Sequence, residues 1–309
     1  MVNTPQILCL GEPLVEFNQT PEGPFAMGFG GDVSNVAISA ARHGAQTGLI
    51  TRVGDDPFGA ALCDLWANEG LVTDHAARAQ GEETGVYFVT HDASGHHFTY
   101  RRKGSAASRL TPQDLPMNAL QTCPIFYASG ISLAVSSSMQ DAVIEAAQQA
   151  RAGGGIFAFD PNLRVALWPL EVARETTHRC MQICDVALPG LEDARQLTGL
   201  HDAKDIASFY HELGPRIVAL TLGAEGVLIS VEGTQRVLSG HRVDAKDATG
   251  AGDCFNGAFL ATLLATNDPF SAAEHANMAA ALSTTGYGAV TPIPTLSQTR
   301  SALETAQRA

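Results

Sequence analysis

The stretch DATGAGDCFNGAFLATLLA, residues 247–265, sets Gly250, Ala251 and Gly252 directly before Asp253 and then runs on as an apolar helical pattern. Residues this small let backbone N–H groups come close to a ligand. A helix starting beside them adds unpaired donors and the positive end of its dipole, and together these make an anion site. Phosphate is the natural guest. An Asp ahead of an apolar run is usually an N-cap. Beside the negative charge of a phosphoryl group, however, a carboxylate is a poor electrostatic choice unless it has a proton to remove. That points to phosphoryl transfer to an alcohol, with Asp253 as general base and residues 250–252 holding the developing charge.

Outward from this stretch, short β-rich runs alternate with helical patterns. Strands are expected at 6–12, 47–54, 125–130, 155–160, 185–190 and 216–223. Helices are expected at 32–44, with an Asp or Ser cap, at 56–70 with Pro57 in the first turn, at about 136–152, and twice near the C-terminus. Strands separated by helices of this length mean βαβ units and a parallel sheet covered on both faces, a doubly wound α/β domain. Residues 84–103 break the rhythm: two alternating strands joined by a turn at 92–95 read as an antiparallel hairpin. With the irregular stretch at 12–29 it forms a small β insertion, a lid or a dimer edge. The expectation is one domain over residues 1–309 with lid insertions at about 12–30 and 84–104.

Composition narrows the function classes. The chain of 309 residues is 45% hydrophobic and 17% charged. It has no apolar run of about 18 residues that could span a bilayer. Its first residues lack the basic region and long apolar stretch of a signal peptide, so a cytoplasmic protein is expected. Six scattered cysteines without a Cys-x-x-Cys pair read as buried thiols. The ten histidines show no ligand spacing and read as surface residues. A net charge of −13 opposes nucleic-acid binding, and an anionic substrate would need local cations to collect it.

Such cations stand in YRRKGSAAS, residues 100–108. Strand alternation puts Tyr100 and Arg102 on one face and Arg101 and Lys103 on the other, with Tyr87 of the partner strand joining the first pair. A Tyr–Arg–Tyr face suits a sugar acid, the guanidinium taking a carboxylate and the phenols bonding hydroxyls. A second cation, Arg164 in DPNLR, follows Asp160 at the carboxyl edge of the sheet, where ligands of such folds sit.

Two motifs give the chain a family likeness over nearly its whole length. GGDVSNVAISAARHG and TRVGDDPFG place Gly30, Gly31, Asn35, Ala37, Gly44 and Gly54, and DATGAGDCFNGAFL places Asp253, as in the ribokinase, or PfkB-type, sugar kinases, which this chain resembles. Ala248 and Val33 depart from the family pattern. The family's Asn-x-x-Glu stands here as PGLED, with Gly190 at the Asn and Asp193 at the Glu, which leaves open whether Glu192 or Asp193 serves magnesium through water. The resemblance implies a ribokinase-like fold with a small β lid, with ATP and Mg2+, and leaves a monovalent cation open; the exposed hairpin edge favours a homo-oligomer through the lid, and charge and composition call for neither nucleic acid nor membrane.

It further implies ATP contacts at Asn162, Arg164, Thr221, Gly223, Gly226, Gly250, Gly252 and Asn277. With GEPLVEF at residues 11–17, the chain is most similar to family members that phosphorylate 2-keto-3-deoxygluconate at its 6-hydroxyl. Sugar contacts by Gly31, Asp32, Asn35, Tyr87, Tyr100, Arg102, Arg164 and Asp253 are then implied. Fructose or another ketose is the alternative substrate. A nicotinamide oxidoreductase would carry Gly-x-Gly-x-x-Gly after its first strand, where CLGEPLVEF stands. A non-catalytic sensor built on a kinase fold would have no use for Asp253.

Overall fold

The computed structural model describes residues 4–20, 22–92 and 95–308. In β1 (Ile7–Leu10) all four side chains are buried, and neighbours belong to different cores: Ile7 and Cys9 to one, Leu8 and Leu10 to the other. A strand buried on both faces reads as a continuous apolar run, and this one is central to a parallel sheet. The remaining strands are β2 (Leu14–Gln19), β3 (Phe25–Gly30), β4 (Thr47–Gly54), β5 (Ala76–Ala79), β6 (Val86–Asp92), β7 (Gly95–Arg101), β8 (Ile125–Ser129), β9 (Ile156–Asp160), β10 (Val186–Ala187), β11 (Ile217–Thr221), β12 (Gly226–Val231) and β13 (Thr234–Ser239). Nine of them form one sheet in the order β13-β12-β11-β10-β9-β8-β1-β4-β5. It is parallel from β5 to β11, and β12 and β13 add an antiparallel edge.

Helices cover both faces. Asp32–Arg42, Pro57–Asn68, Ala251–Thr266 and Pro269–Ser283 bury Val33, Trp66, Phe255 and Ala273 on one side. Ser137–Ala152, Leu170–Met181, Leu191–Thr198 and Ala203–Leu213 bury Met139, Cys180, Leu197 and Ile206 on the other. The doubly wound architecture read from the alternating pattern is therefore the one observed.

Several local expectations need correction. The helix Asp32–Arg42 has Gly31 as its N-cap and no side-chain cap, because the Asp32 carboxylate accepts from Asn162 instead. β10 spans only two residues. A third C-terminal helix, Leu296–Ala306, opens on a capping box between Thr295 and Gln298. The stretch taken as irregular contains β2 and β3, which pair antiparallel; β2 runs parallel to β6, and β6 antiparallel to β7, so these four strands make a second sheet. The turn expected at 92–95 includes Ala93 and Ser94, which lie outside the described residues. All six cysteines are free thiols and five are buried. Two histidines are not on the surface: His43 and His275 are buried with rings edge to face at 5.1 Å, and burial lowers the pKa of both, that of His275 to about 4.

The register of the second sheet decides which side chains meet. Tyr87 sits opposite Tyr100, and their rings stack at 5.5 Å. The other face carries Phe17, which packs on Phe58 of the main body at 5.6 Å, and leaves Phe25 and Met27 exposed.

Candidate active site

A cavity of about 1090 Å3 opens where β9 and β11 end at Asp160 and Thr221, beneath Leu14, Tyr87 and Tyr100 of the second sheet. This is the carboxyl edge of the sheet, where the polarity of parallel strands and the helix starts that follow them concentrate donors. The volume is at the upper end for one small ligand and leaves room for two reactants. Its wall includes Gly31, Asp32, Asn35, Tyr87, Tyr100, Arg102, Asn162, Arg164, Thr221, Gly250, Ala251, Gly252 and Asp253. The motifs from both halves of the sequence thus converge. Gly223, Gly226 and Asn277 are outside this wall: Gly226 closes the turn into β12, where a Cβ would stand 2.1 Å from the Leu238 carbonyl, and Asn277 is buried, donating to the Ser239 carbonyl at 2.8 Å.

At one end the helix Ala251–Thr266 begins at Gly250, whose φ of 75° is left-handed and whose missing Cβ makes room for Ala289. No side chain caps this helix start. Asp253 is therefore not the cap; it lies in the first turn and accepts from the Asn35 amide at 2.8 Å. A Cβ on Gly252 would meet nothing within 4 Å, so the chain's own packing does not require that glycine. The loop before the helix is held by Asp247, which accepts from Thr249 N and Oγ1 through one oxygen and from Gly288 N through the other.

The electrostatics follow from burial. Asp253 is half-buried, and desolvation followed by the nearby Asp32 carboxylate pushes its pKa well above the usual carboxylate range, against the lowering effect of Asn35 and Arg164. Asp160 is raised to about 7 by burial and then by Asp193. Asp193 is raised too, by burial, while Arg164 pulls the other way. Glu192, by contrast, is exposed and pairs with Arg195 at 2.7 Å. Of the two carboxylates left open by PGLED, Asp193 is the one on the cavity wall. One Asp32 oxygen and the Asn35 oxygen are buried without a hydrogen-bond partner, which leaves two acceptors for hydroxyl groups.

Beneath the second sheet, the Arg102 guanidinium lies 5.5 Å from the Tyr100 ring centroid and forms an ion pair with Glu12. Glu12 is buried, and its other oxygen accepts from Ser105 at 2.8 Å. The Tyr87 phenol donates to Glu16. Lys103 also reaches the wall, contrary to the alternation argument, because β7 ends at Arg101 and the chain turns there. Glu12, Asp160 and Asn256 were not expected as site residues. The carboxylate directly after β1 and the Asp closing β9 were the available signals.

An anion cradle at one end and unsatisfied hydroxyl acceptors at the other, with a carboxylate between them, suit phosphoryl transfer to a polyol. The class defined here is a sugar kinase of α/β type. A family model described as pfkB family carbohydrate kinase matches residues 5–296, and the chain belongs to that family. It is 34% identical to a 2-dehydro-3-deoxygluconokinase of Thermoproteus tenax over 89% of this chain and 87% of that protein. It is 30% identical to fructokinase-2 of Solanum habrochaites, covering 94% of each. A crystal structure of fructokinase with bound ATP from Xylella fastidiosa superposes with a TM-score of 0.90 at 27% identity, over 97% of this chain and 98% of that one. The fold is the ribokinase-like one expected from the motifs.

Proposed function

We propose that this carbohydrate kinase transfers the terminal phosphoryl group of ATP to the 6-hydroxyl of 2-keto-3-deoxygluconate, giving 2-keto-3-deoxy-6-phosphogluconate, in the cytoplasm. The observation that carries the reading is the placement of Asp253, in one cavity with the uncapped helix start on one side and the free acceptors of Asp32 and Asn35 on the other. The sugar's hydroxyl proton passes to Asp253 as its oxygen forms the new bond to phosphorus, and the bond from that phosphorus to the bridging oxygen of ATP breaks. The amides of Gly250 and Gly252 hold the charge, while that of Ala251 donates to the Ala248 carbonyl at 3.2 Å and fixes the turn that presents them. Asn35 fixes the base by holding one of its oxygens, so its role is to orient the base as much as to touch sugar.

Magnesium, when bound, neutralises phosphate charge. Among the described residues no three His, Cys, Asp or Glu side chains are grouped to grip a metal, which fits an ion carried mainly by phosphate oxygens and water, with Asp193 on the adjoining wall. Similarity to a fructokinase solved with ATP supports the nucleotide. The exposed apolar pair Phe25 and Met27 supports oligomer formation through the lid sheet.

A ketose kinase is the second reading, and Glu12 favours it: a cation already neutralised by a buried carboxylate is a weaker lure for an acid. Turnover on 2-keto-3-deoxygluconate compared with fructose separates the two. The pH profile provides a further check. Asp253 works only when deprotonated and the folded protein holds its proton tightly, so kcat/KM should fall as pH drops, with a midpoint above about 4. A midpoint at or below that value would remove Asp253 from the role of base.

A further inference from the structure

A chain of buried hydrogen bonds lies behind the cavity wall. Asn256, 1% exposed and three residues beyond Asp253 on the same helix, donates from Nδ2 to Asp160 at 2.7 Å and faces the Tyr127 hydroxyl at 3.4 Å. The other oxygen of Asp160 accepts from the Asn162 backbone N–H at 2.9 Å, closing a turn around Pro161. Asn162 has a φ of 32°, unusual for a residue with a side chain, and donates from Nδ2 to Asp32 at 3.0 Å. The turn is further fixed by Gly130, since a Cβ there would stand 1.9 Å from the Pro161 carbonyl oxygen.

We propose that Asn256 and Asp160 are positioning residues that hold the Asp253 helix and the Asp32 helix in one register across the end of β9. Each Asp160 oxygen accepts from a protein donor, one on the Asp253 helix and one in the turn that carries Asn162, so the carboxylate ties the two together. Asn162 accordingly belongs to the sugar side of the cavity through Asp32, although it was expected at ATP. Strain at Asn162 is retained because the bonds on either side of it over-determine its conformation. The two acids that must meet the sugar, one from each half of the chain, thereby share one buried reference point.

The inference rests on Asp253 as base and is tested by Asn256→Asp. That change sets a second carboxylate against Asp160, whose surroundings are Asp32 from the helix Asp32–Arg42, Asp193 from Leu191–Thr198, Asp253 from its own helix, Tyr127 of β8 and Tyr210 of Ala203–Leu213, with Arg164 as the cation beside Asp253 and Asp193. The pair can stay bonded only by sharing a proton. The shared proton is held more tightly than that of Asp160 alone, which leaves at about 7, so kcat should fall roughly 10²-fold from misplacement at the alkaline end of the profile, near pH 10, and the ratio of variant to parent kcat should climb at least about tenfold by pH 6 as the shared proton returns. A ratio that does not change with pH overturns the proposal. Asp253→Asn is run alongside: near-normal turnover there sinks the base reading, whereas an inactive Asp253→Asn with an unaltered Asn256→Asp sinks the positioning role alone. If Asn256→Asp fails to fold, Asn162→Gly takes the positive φ freely and removes only the reach to Asp32. Sugar KM should then rise about tenfold with nucleotide KM unchanged; an unchanged sugar KM, or a rise in nucleotide KM instead, overturns it.

Discussion

Replacing Asp253 by Asn is expected to lower turnover roughly 10²–10⁴-fold while ATP and sugar still bind. The amide is nearly the same size and its oxygen can still accept from the Asn35 side chain, so the cavity keeps its shape. What is lost is the ability to take a proton. The same change removes a charge that burial and the Asp32 carboxylate both penalise, so the variant should also melt at a higher temperature than the parent. Lower turnover together with higher stability separates loss of a base from loss of structure. Isothermal titration with nucleotide and sugar, steady-state turnover and thermal melting give the three readouts.

The second large effect concerns Arg102. Replaced by Leu, it should cost about 3–5 kcal/mol of stability, because the Glu12 side chain is fully buried and would lose its ion-pair partner. Binding losses in that variant would therefore mix two causes. In Glu12→Gln/Arg102→Leu the stranded charge is gone and Gln can still meet Ser105, so most of the stability should return. If Arg102 takes the sugar's carboxylate, affinity for 2-keto-3-deoxygluconate should still be down at least about tenfold in the double variant while fructose is bound as before. Equal losses for both sugars would assign Arg102 to the fold and to the orientation of Tyr100, with no role in reading an acid.

What could be read from the sequence was what is local. β4 falls at Thr47–Gly54 as expected because a β-rich run around Leu49, Ile50 and Val53 closes at Gly54 just before a helix opened by Pro57, and the glycines around Asp253 mark a helix start because small residues there have few other uses. Likewise, the pairing of Tyr87 with Tyr100 follows from hairpin register. Partners brought together by crossovers were not legible. Asn35 looked like a sugar contact and gives its amide to a residue 218 positions away. Glu12 could not be matched with Arg102, since nothing near either residue announces the other. His43 and His275 lay unmarked on helices rich in small residues, and only the packing of three helices buries them. Asp32 looked like a cap by its position, but a tertiary partner, Asn162, takes its carboxylate.

Purified protein with ATP, magnesium and either 2-keto-3-deoxygluconate or fructose can be followed by ADP release, with phosphorus NMR identifying the product. The expected result is a phosphomonoester on the terminal carbon of 2-keto-3-deoxygluconate, formed with kcat/KM well above that for fructose. Faster phosphorylation of fructose, or ADP release without a sugar phosphate, would contradict it.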